Sequence, residues 1–102
     1  MGLTVLQGQN NLSIVHDGST NFDMATYYPL GVRLTAIRFF GEAANDILIV
    51  REKTGTGVHK CKLKDTGPSG VHYECQAHKS SPYILASECD ITADSLIIFE
   101  FV

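Results

Sequence analysis

The residue types best suited to metal chemistry are cysteine and histidine, and several of each lie in the second half of the chain. The three cysteines are evenly spaced, 14 residues apart, and the sequence has no Cys-x-x-Cys motif, which is the usual spacing of paired zinc ligands. The candidate ligands for a tetrahedral zinc ion are His59, Cys61, His72, Cys75 and His78.

Strand alternation argues against this zinc site, because successive side chains of a β-strand point to opposite faces. Cys75 falls on the apolar face of its segment, whereas His72 and His78 fall on the polar face; Cys61 also falls on an apolar face. We therefore favour buried free thiols for Cys61, Cys75 and Cys89 over a zinc site or a disulfide. An odd number of cysteines without an export signal suits a reducing compartment.

A loop with oxygen-bearing side chains on alternate residues resembles the start of a calcium site. Its candidate ligands are Asp17, Ser19, Asn21 and Asp23. The pattern then departs from an EF-hand, because Phe22 stands where the turn needs glycine and Tyr28 stands where the bidentate glutamate belongs. A polar loop with Asx turns is the favoured interpretation.

The sequence lacks the arrangements typical of an enzyme. It has no Gly-x-Ser-x-Gly motif, and Ser69 lies in a Gly-Pro-Ser-Gly segment that predicts a turn. The Gly-Thr-Gly of residues 55–57 leads into a strand rather than into the N-terminus of a helix, so it does not match a phosphate-binding loop. We predict a protein that is not an enzyme and has no catalytic, cofactor-binding or metal-binding residue.

Two sets of side chains suit binding instead. Lys60, Lys62 and Lys64 form a basic stripe on one strand, which fits an acidic partner or phosphates. We favour the more common role of such lysines, which is to protect an edge strand against aggregation. The candidate aromatic platform for stacking on sugars consists of Tyr27, Tyr28 and Tyr83. We favour the alternative role of these tyrosines, at the edge of the core.

Glycine and proline divide the chain into short segments rich in β-branched and aromatic residues, which predict strands. About eight strands are expected, at residues 3–7, 12–16, 32–40, 46–52, 58–64, 71–78, 83–86 and 95–102. No window carries a helical apolar stripe free of helix breakers, so a long helix is not expected. The sequence predicts an all-β fold, with residues 1–102 forming a single-domain antiparallel β-sandwich of jelly-roll type.

Two features of strand pairing are also predicted. Residues 58–78 alternate on both sides of the turn-forming linker 65–70, which predicts a hairpin with one apolar and one polar face. Residues 47–50 and 96–98 are continuous apolar runs, which are typical of central strands covered on both faces.

Composition agrees with one small globular domain and limits its partners. The 102 residues are 44% hydrophobic and carry a formal net charge of −3, which argues against nucleic acid. The sequence predicts no export signal and no membrane helix, which needs roughly 18 to 20 apolar residues. Residues 33–64 carry seven basic and three acidic side chains, whereas residues 65–102 carry one basic and six acidic side chains. This asymmetry suits head-to-tail contact between subunits, but we favour ion pairing within the chain.

Two stretches, residues 38–52 and residues 81–89 followed by 96–100, resemble small β-sandwich virion proteins of tailed bacteriophages. In that group a strand ends in a Gly/Ala-rich turn, and an aspartate opens the next apolar strand. A Pro-Tyr segment then follows a hairpin, and a hydrophobic strand closes the chain. The resemblance covers roughly the last two-thirds of the sequence.

The resemblance implies a non-enzymatic structural subunit of the virion, made in the host cytoplasm. Such a subunit binds and stabilises the capsid surface as a decoration protein, or forms part of the tail. Its expected partners are other copies of itself, as a homo-oligomer such as a trimer, and the major capsid or tail protein; nucleic acid and membrane are not expected. The alternative function is that of a small carbohydrate- or receptor-binding module.

Overall fold

The described part of the chain contains nine strands and two short 3-10 helices. A computed structural model describes residues 2–67 and 69–102. In chain order the elements are β1 (Thr4–Gln7), β2 (Asn11–His16), β3 (Phe22–Asp23), η1 (Met24–Thr26), β4 (Val32–Phe40), β5 (Asp46–Glu52), β6 (His59–Asp65), β7 (Val71–Ser80), β8 (Pro82–Ile84), η2 (Ala86–Glu88) and β9 (Ser95–Phe101). Each predicted strand is present with ends shifted by at most two residues, and β3 is additional.

The strands form two antiparallel sheets that pack face to face. The order is β1-β2-β9-β4-β7 in the five-stranded sheet and β3-β8-β5-β6 in the four-stranded sheet. Apart from β1 and β2, and β5 and β6, neighbouring strands are distant in sequence, as in a jelly roll built from two Greek keys. The predicted all-β sandwich is therefore confirmed, and its strand order is that of a jelly roll.

The inner faces of the two sheets enclose one hydrophobic core. Alternate residues point into it, as in β2 and β9, where every second side chain is buried. The aromatic rings of Phe22 and Phe99, one from each sheet, stack with centroids 5.6 Å apart. Other fully buried members are Leu12, Ile14, Met24, Leu34, Ile37, Phe39, Leu48, Val50, Ile84 and Ile97.

The predicted hairpin over residues 58–78 is wrong. β6 pairs with β5 in the four-stranded sheet, and β7 pairs with β4 in the five-stranded sheet. The connection between β6 and β7 therefore crosses from one sheet to the other, and its Pro68 lies outside the described residues. A turn between two strands of alternating polarity can connect neighbours in one sheet or strands in opposite sheets. In both arrangements the apolar faces of the two strands point into the core, so the sequence pattern does not distinguish them.

The two apolar runs predicted to be covered on both faces differ from each other. The outer face of β5 is covered by the chain after η2, where the backbone of Asp90 pairs with Ile47, and Ile49 is 9% exposed. On β9, Leu96 and Ile98 point outward and remain partly exposed. The prediction is correct for β5 and wrong for β9, whose outer face forms part of the surface.

Candidate functional site

A cleft of about 860 Å³ opens at the end of the sandwich where β5 ends and β6 begins. The polar residues that line it are Glu52, Lys53, His59, Lys60, His78, Lys79, Ser80 and Ser81. Apolar walls come from Pro29 and from two prominent side chains, Leu30, which is 84% exposed, and Val58, which is 75% exposed. We call this feature the basic cleft.

An irregularity in strand pairing places Lys60 in the basic cleft. Cys61 pairs with Val50 and His59 pairs with Arg51, so Lys60 is an extra residue, a β-bulge, in β6. A bulge re-aims a side chain relative to the regular alternation. The Lys60 side chain is accordingly only 13% exposed, although it belongs to an edge strand.

The ammonium group of Lys60 contacts a histidine and a carboxylate. Its Nζ lies 3.3 Å from His78 Nε2 and 3.5 Å from Glu52 Oε1. Because an ammonium only donates hydrogen bonds, His78 Nε2 accepts, and Nδ1 carries the proton that it donates to the Gln76 carbonyl over 2.6 Å. Two of the three N–H groups of Lys60 are thus directed at side chains, and the third has no partner among the residues that the structure describes.

His78 reaches Lys60 through a second irregularity, in β7. His78 pairs with Leu34, and Glu74 pairs with Ala36, so three residues of β7 lie opposite one residue of β4. This places His78 opposite the buried Leu34, next to the other sheet. The predicted position of His78 on the outer face beside His72 is therefore wrong, because the bulge interrupts the alternation on which that prediction depended.

Glu52 is held by the junction of β7 and β8. The Ser80 hydroxyl donates to Oε1 and the Ser81 N–H donates to Oε2, each over 2.8 Å. Burial by itself would raise the pKa of Glu52, but these hydrogen bonds and the charge of Lys60 together lower that pKa below its usual value. Glu52 is thus a carboxylate that offsets one of the lysine charges of the basic cleft.

The basic cleft suits recognition of negative charge rather than nucleophilic chemistry. Ser80 is buried and donates to a carboxylate, while His78 accepts from Lys60, so the two do not form a serine–histidine pair. Lys53, Lys60 and Lys79 outnumber Glu52, and the net charge of the lining is positive.

Sequence reasoning did not single out Glu52, Ser80, Lys53 or Lys79. The partners of Glu52 come from residues 28 and 29 positions later in the chain, and no local spacing marks such a pair. The bulges that aim Lys60 and His78 at each other are likewise products of tertiary pairing.

The three cysteines are free thiols that pack, half-buried, against the core. Cys61 and Cys75 point inward from β6 and β7, which confirms their predicted faces. Burial raises the pKa of all three thiols, and that of Cys61 rises to about 12 even though Lys60 is adjacent. Cys89 accepts a hydrogen bond from the Ile49 N–H over 3.3 Å.

The structure does not bring the candidate zinc ligands together. His72 lies on the outer face, 3.5 Å from Glu74, whereas Cys61 and Cys75 face the core. Within residues 2–67 and 69–102, no three His, Cys, Asp or Glu side chains are close enough to hold one metal ion.

The loop considered for calcium is an Asx turn, as predicted. The Asp17 carboxylate accepts hydrogen bonds from the N–H groups of Ser19 and Thr20, both over 2.9 Å, and from the Thr20 hydroxyl and the Gly2 N–H. The hydrogen bond from the Thr20 hydroxyl and those from the backbone lower the pKa of Asp17 well below its usual range. Asp23 caps η1 by accepting from the Ala25 N–H over 3.0 Å.

The end of the sandwich opposite the basic cleft is acidic. Four connections meet there, described at residues 17–21, 41–45, 66–67 with 69–70, and 90–94, and these residues include four carboxylates and no lysine or arginine. These carboxylates are Asp17, Glu42, Asp90 and Asp94. We call this surface the acidic end.

Two further carboxylates are buried beneath the acidic end and join its loops. Asp46 accepts from the Thr92 N–H over 2.9 Å, from the Thr92 hydroxyl over 3.0 Å and from the Ser95 hydroxyl over 3.3 Å. Asp65 accepts from the Gly41 N–H over 2.7 Å and from the Gly67 N–H over 3.2 Å. Neutral donors surround both groups, so their role is structural.

The lysines of β6 lie on an edge strand, in keeping with their expected protective role. Lys62 and Lys64 are exposed on the outer face, but Lys60 is turned into the basic cleft, so the stripe consists of two residues rather than three.

The candidate tyrosines mainly cover the core. The Tyr27 ring stacks on Phe22 with centroids 5.9 Å apart, and the Tyr28 ring meets the edge of Phe101 at 5.2 Å. Tyr83 lies on β8, paired with Arg51.

These observations define the class of the protein as a small jelly-roll β-sandwich with a basic cleft at one end and clustered carboxylates at the other. Comparison with profiles of known families, with curated proteins and with solved structures gives no match. Among the described residues, no helix has the length and apolarity needed to cross a bilayer.

Proposed function

We propose that this chain is a non-enzymatic structural subunit of a phage particle, which binds the capsid surface as a decoration protein or forms part of the tail. The assignment to a phage particle, and with it a virion location, derives from the resemblance of residues 38–52 and 81–89 to small virion proteins. The idea that the chain works by assembly has independent support from its surface.

The observation that carries the proposal is the apolar outer face of the five-stranded sheet. Val15, Leu96 and Phe40 lie side by side on three neighbouring strands. Leu6 and Ile98 lie in the next row, on either side of Ser13, and Leu6 is 64% exposed. Leu6 and Val15 are exposed, whereas Phe40, Leu96 and Ile98 are partly exposed. A cluster of apolar side chains on the surface of a small domain typically marks a site that another protein covers.

The apolar face ends at a strand edge with available backbone groups. β1 lies at the edge of the five-stranded sheet and is hydrogen-bonded to β2. The Gly8 N–H donates to the Asn11 carbonyl over 2.8 Å. Because hydrogen-bonded and non-hydrogen-bonded pairs alternate along an antiparallel pair of strands, the N–H and C=O groups of Val5 and Gln7 point away from β2. Such an edge accepts a further strand, and a partner on the apolar face can extend the sheet.

The shape of this face favours a protein partner over a small molecule. With strand spacing of about 4.8 Å and a rise of about 3.3 Å per residue, the Cα atoms of the patch span roughly 14 by 7 Å, and the sheet surface there lacks the concavity of a ligand pocket. The ion pair between Arg38 and Glu100, at 2.9 Å, borders the patch and provides the polar rim of a typical interface. In a lattice, several modest contacts of this kind combine into stable attachment.

The test is co-sedimentation of the purified protein with emptied phage particles. The wild-type protein is expected to co-sediment, and Leu6→Asp is expected to reduce co-sedimentation at least about tenfold, because it places a charge in the apolar contact. Val102→Asp makes the same kind of change at an exposed apolar residue outside the patch and serves as the matched control.

Failure of the wild-type protein to bind either capsid or tail would contradict the proposal. If the protein instead bound a glycan array as a monomer, the carbohydrate-binding alternative would replace it.

A further inference from the structure

The two ends of the sandwich have opposite charge. Around the basic cleft, Lys53, Lys60 and Lys79 outnumber Glu52. At the acidic end, Glu42, Asp90 and Asp94 are exposed, beside small exposed residues that include Ala43, Ala44 and Ala93. The ends lie opposite each other because Asp46 opens β5 and Glu52 closes it.

We propose that the basic cleft binds the acidic end of a second copy of this chain, so that subunits associate head to tail. This inference rests on the proposed assembly function and names one contact within it. Charge complementarity identifies the occupant: a cleft rich in lysine faces a surface that has carboxylates and no basic residue in its loops.

The chemistry inside the basic cleft fits a carboxylate. Glu52, which accepts hydrogen bonds from Ser80 and Ser81, offsets only one of the three lysine charges, so the lining stays net positive. Lys60 has an N–H without a partner among the described residues, and Lys53 and Lys79 are exposed at the rim. A carboxylate entering the cleft therefore finds a partly desolvated ammonium, for which charge-assisted hydrogen bonds are stronger than at an open surface.

The apolar side chains of the two surfaces are also compatible. Leu30 and Val58 project from the walls of the basic cleft, and the alanines of connections 41–45 and 90–94 offer small apolar surfaces beside the carboxylates. The contact is heterologous, since it joins two different patches, and it generates either a closed ring or an open chain of subunits.

Complementary charge reversal tests the proposal. One double variant, Lys53→Glu with Lys79→Glu, reverses the rim of the basic cleft and leaves Lys60 in place. The other, Glu42→Lys with Asp90→Lys, reverses the acidic end and leaves the buried Asp46 and Asp65 in place. Lys62→Glu with Lys64→Glu makes the same change of net charge on the outer face of β6 and is the matched control.

Sedimentation velocity over a concentration series gives the expected results. The wild-type protein self-associates at low salt, and its Kd rises at least about tenfold between about 50 mM and about 500 mM NaCl. Each charge-reversed variant alone self-associates at least about tenfold more weakly than the wild type, the control stays within about threefold, and an equimolar mixture of the two variants associates again.

Three results would overturn the proposal: a wild-type protein that stays monomeric at low salt, a control as defective as the cleft variant, or a mixture that stays monomeric. Particle co-sedimentation of the same variants separates this inference from the proposed function. If only the inference fails, the wild-type protein still binds particles through Leu6 while charge reversal leaves self-association unchanged. If the proposed function fails, the wild-type protein does not bind particles whatever its self-association.

Discussion

The acidic end and the basic cleft both withdraw charged groups from water, but they complete the hydrogen bonding of those groups differently. Beneath the acidic end, Asp46 and Asp65 are surrounded by N–H and hydroxyl donors of their own loops. In the basic cleft, Lys60 contacts His78 and Glu52 and keeps one N–H available. Asp46 and Asp65, whose hydrogen bonds are completed within the chain, thus stabilise the fold. Lys60, whose hydrogen bonds are not completed within the chain, remains able to bind a partner.

The largest effect is expected from removing a saturated carboxylate. Asp46→Ala leaves the Thr92 N–H and hydroxyl without their acceptor and should lower the free energy of unfolding by about 3 kcal/mol. Urea unfolding measures this loss. Asp90→Ala, at an exposed carboxylate of the same end, should change stability by less than about 0.5 kcal/mol. Equal losses in the two variants would show that Asp46 does not join the loops.

The acidic end should also make stability depend on pH. His16 is buried at the end of β2, its Nδ1 accepts from the Gly18 N–H over 2.9 Å, and its Nε2 has no partner among the described residues. Burial lowers the pKa of His16, an effect that Asp17 at 3.9 Å only partly opposes. The folded protein therefore holds His16 neutral, whereas the unfolded chain binds a proton below about pH 6.5.

Stability should accordingly fall as the pH decreases below about 6.5, by at most about 1.4 kcal/mol per pH unit from this group. Urea unfolding between about pH 5 and about pH 7.5 measures the slope, and His16→Asn should reduce it. A wild-type protein whose stability is constant over this range would contradict the prediction.

At the basic cleft, mutation should affect association more than stability. Lys60→Met should change the free energy of unfolding by less than about 1 kcal/mol, because Glu52 keeps its bonds to Ser80 and Ser81. The same variant should weaken self-association at least about tenfold, as measured by sedimentation. Lys62→Met is the control, and it should leave both quantities unchanged. A large loss of stability in Lys60→Met would mean that Lys60 stabilises the fold, as Asp46 and Asp65 do at the acidic end.

The smallest effect concerns thiol reactivity beside Lys60. A lysine next to a cysteine normally favours the thiolate, but burial raises the pKa of Cys61 to about 12. At about pH 8, alkylation of Cys61 in the folded protein should be slow and should become fast in denaturant, as followed by mass spectrometry. Rapid labelling of Cys61 in the native state would show that the inner side of β6 is open to solvent.

The sequence was sufficient to predict every strand except β3 to within two residues at each end, because glycine, proline and alternation are local signals. It was also sufficient to predict the inward faces of Cys61 and Cys75. Which strands pair was not local information: β6 and β7 adjoin in sequence and lie in different sheets. The contact between Lys60 and His78 depends on one bulge in each sheet. Reading the sequence as strictly alternating strands does not predict these bulges.

The position of β9 determines when the five-stranded sheet can form during synthesis. β9 lies between β2 and β4, with Glu100 opposite Asn11, so the sheet is completed by the strand that the ribosome makes last among the nine. Until residues 95–101 emerge, β2 and β4 expose unpaired edges and an open core. Pairing at such sequence separation requires closure of a long loop, which makes jelly rolls slow to fold. The nascent chain is therefore most vulnerable to aggregation before β9 emerges.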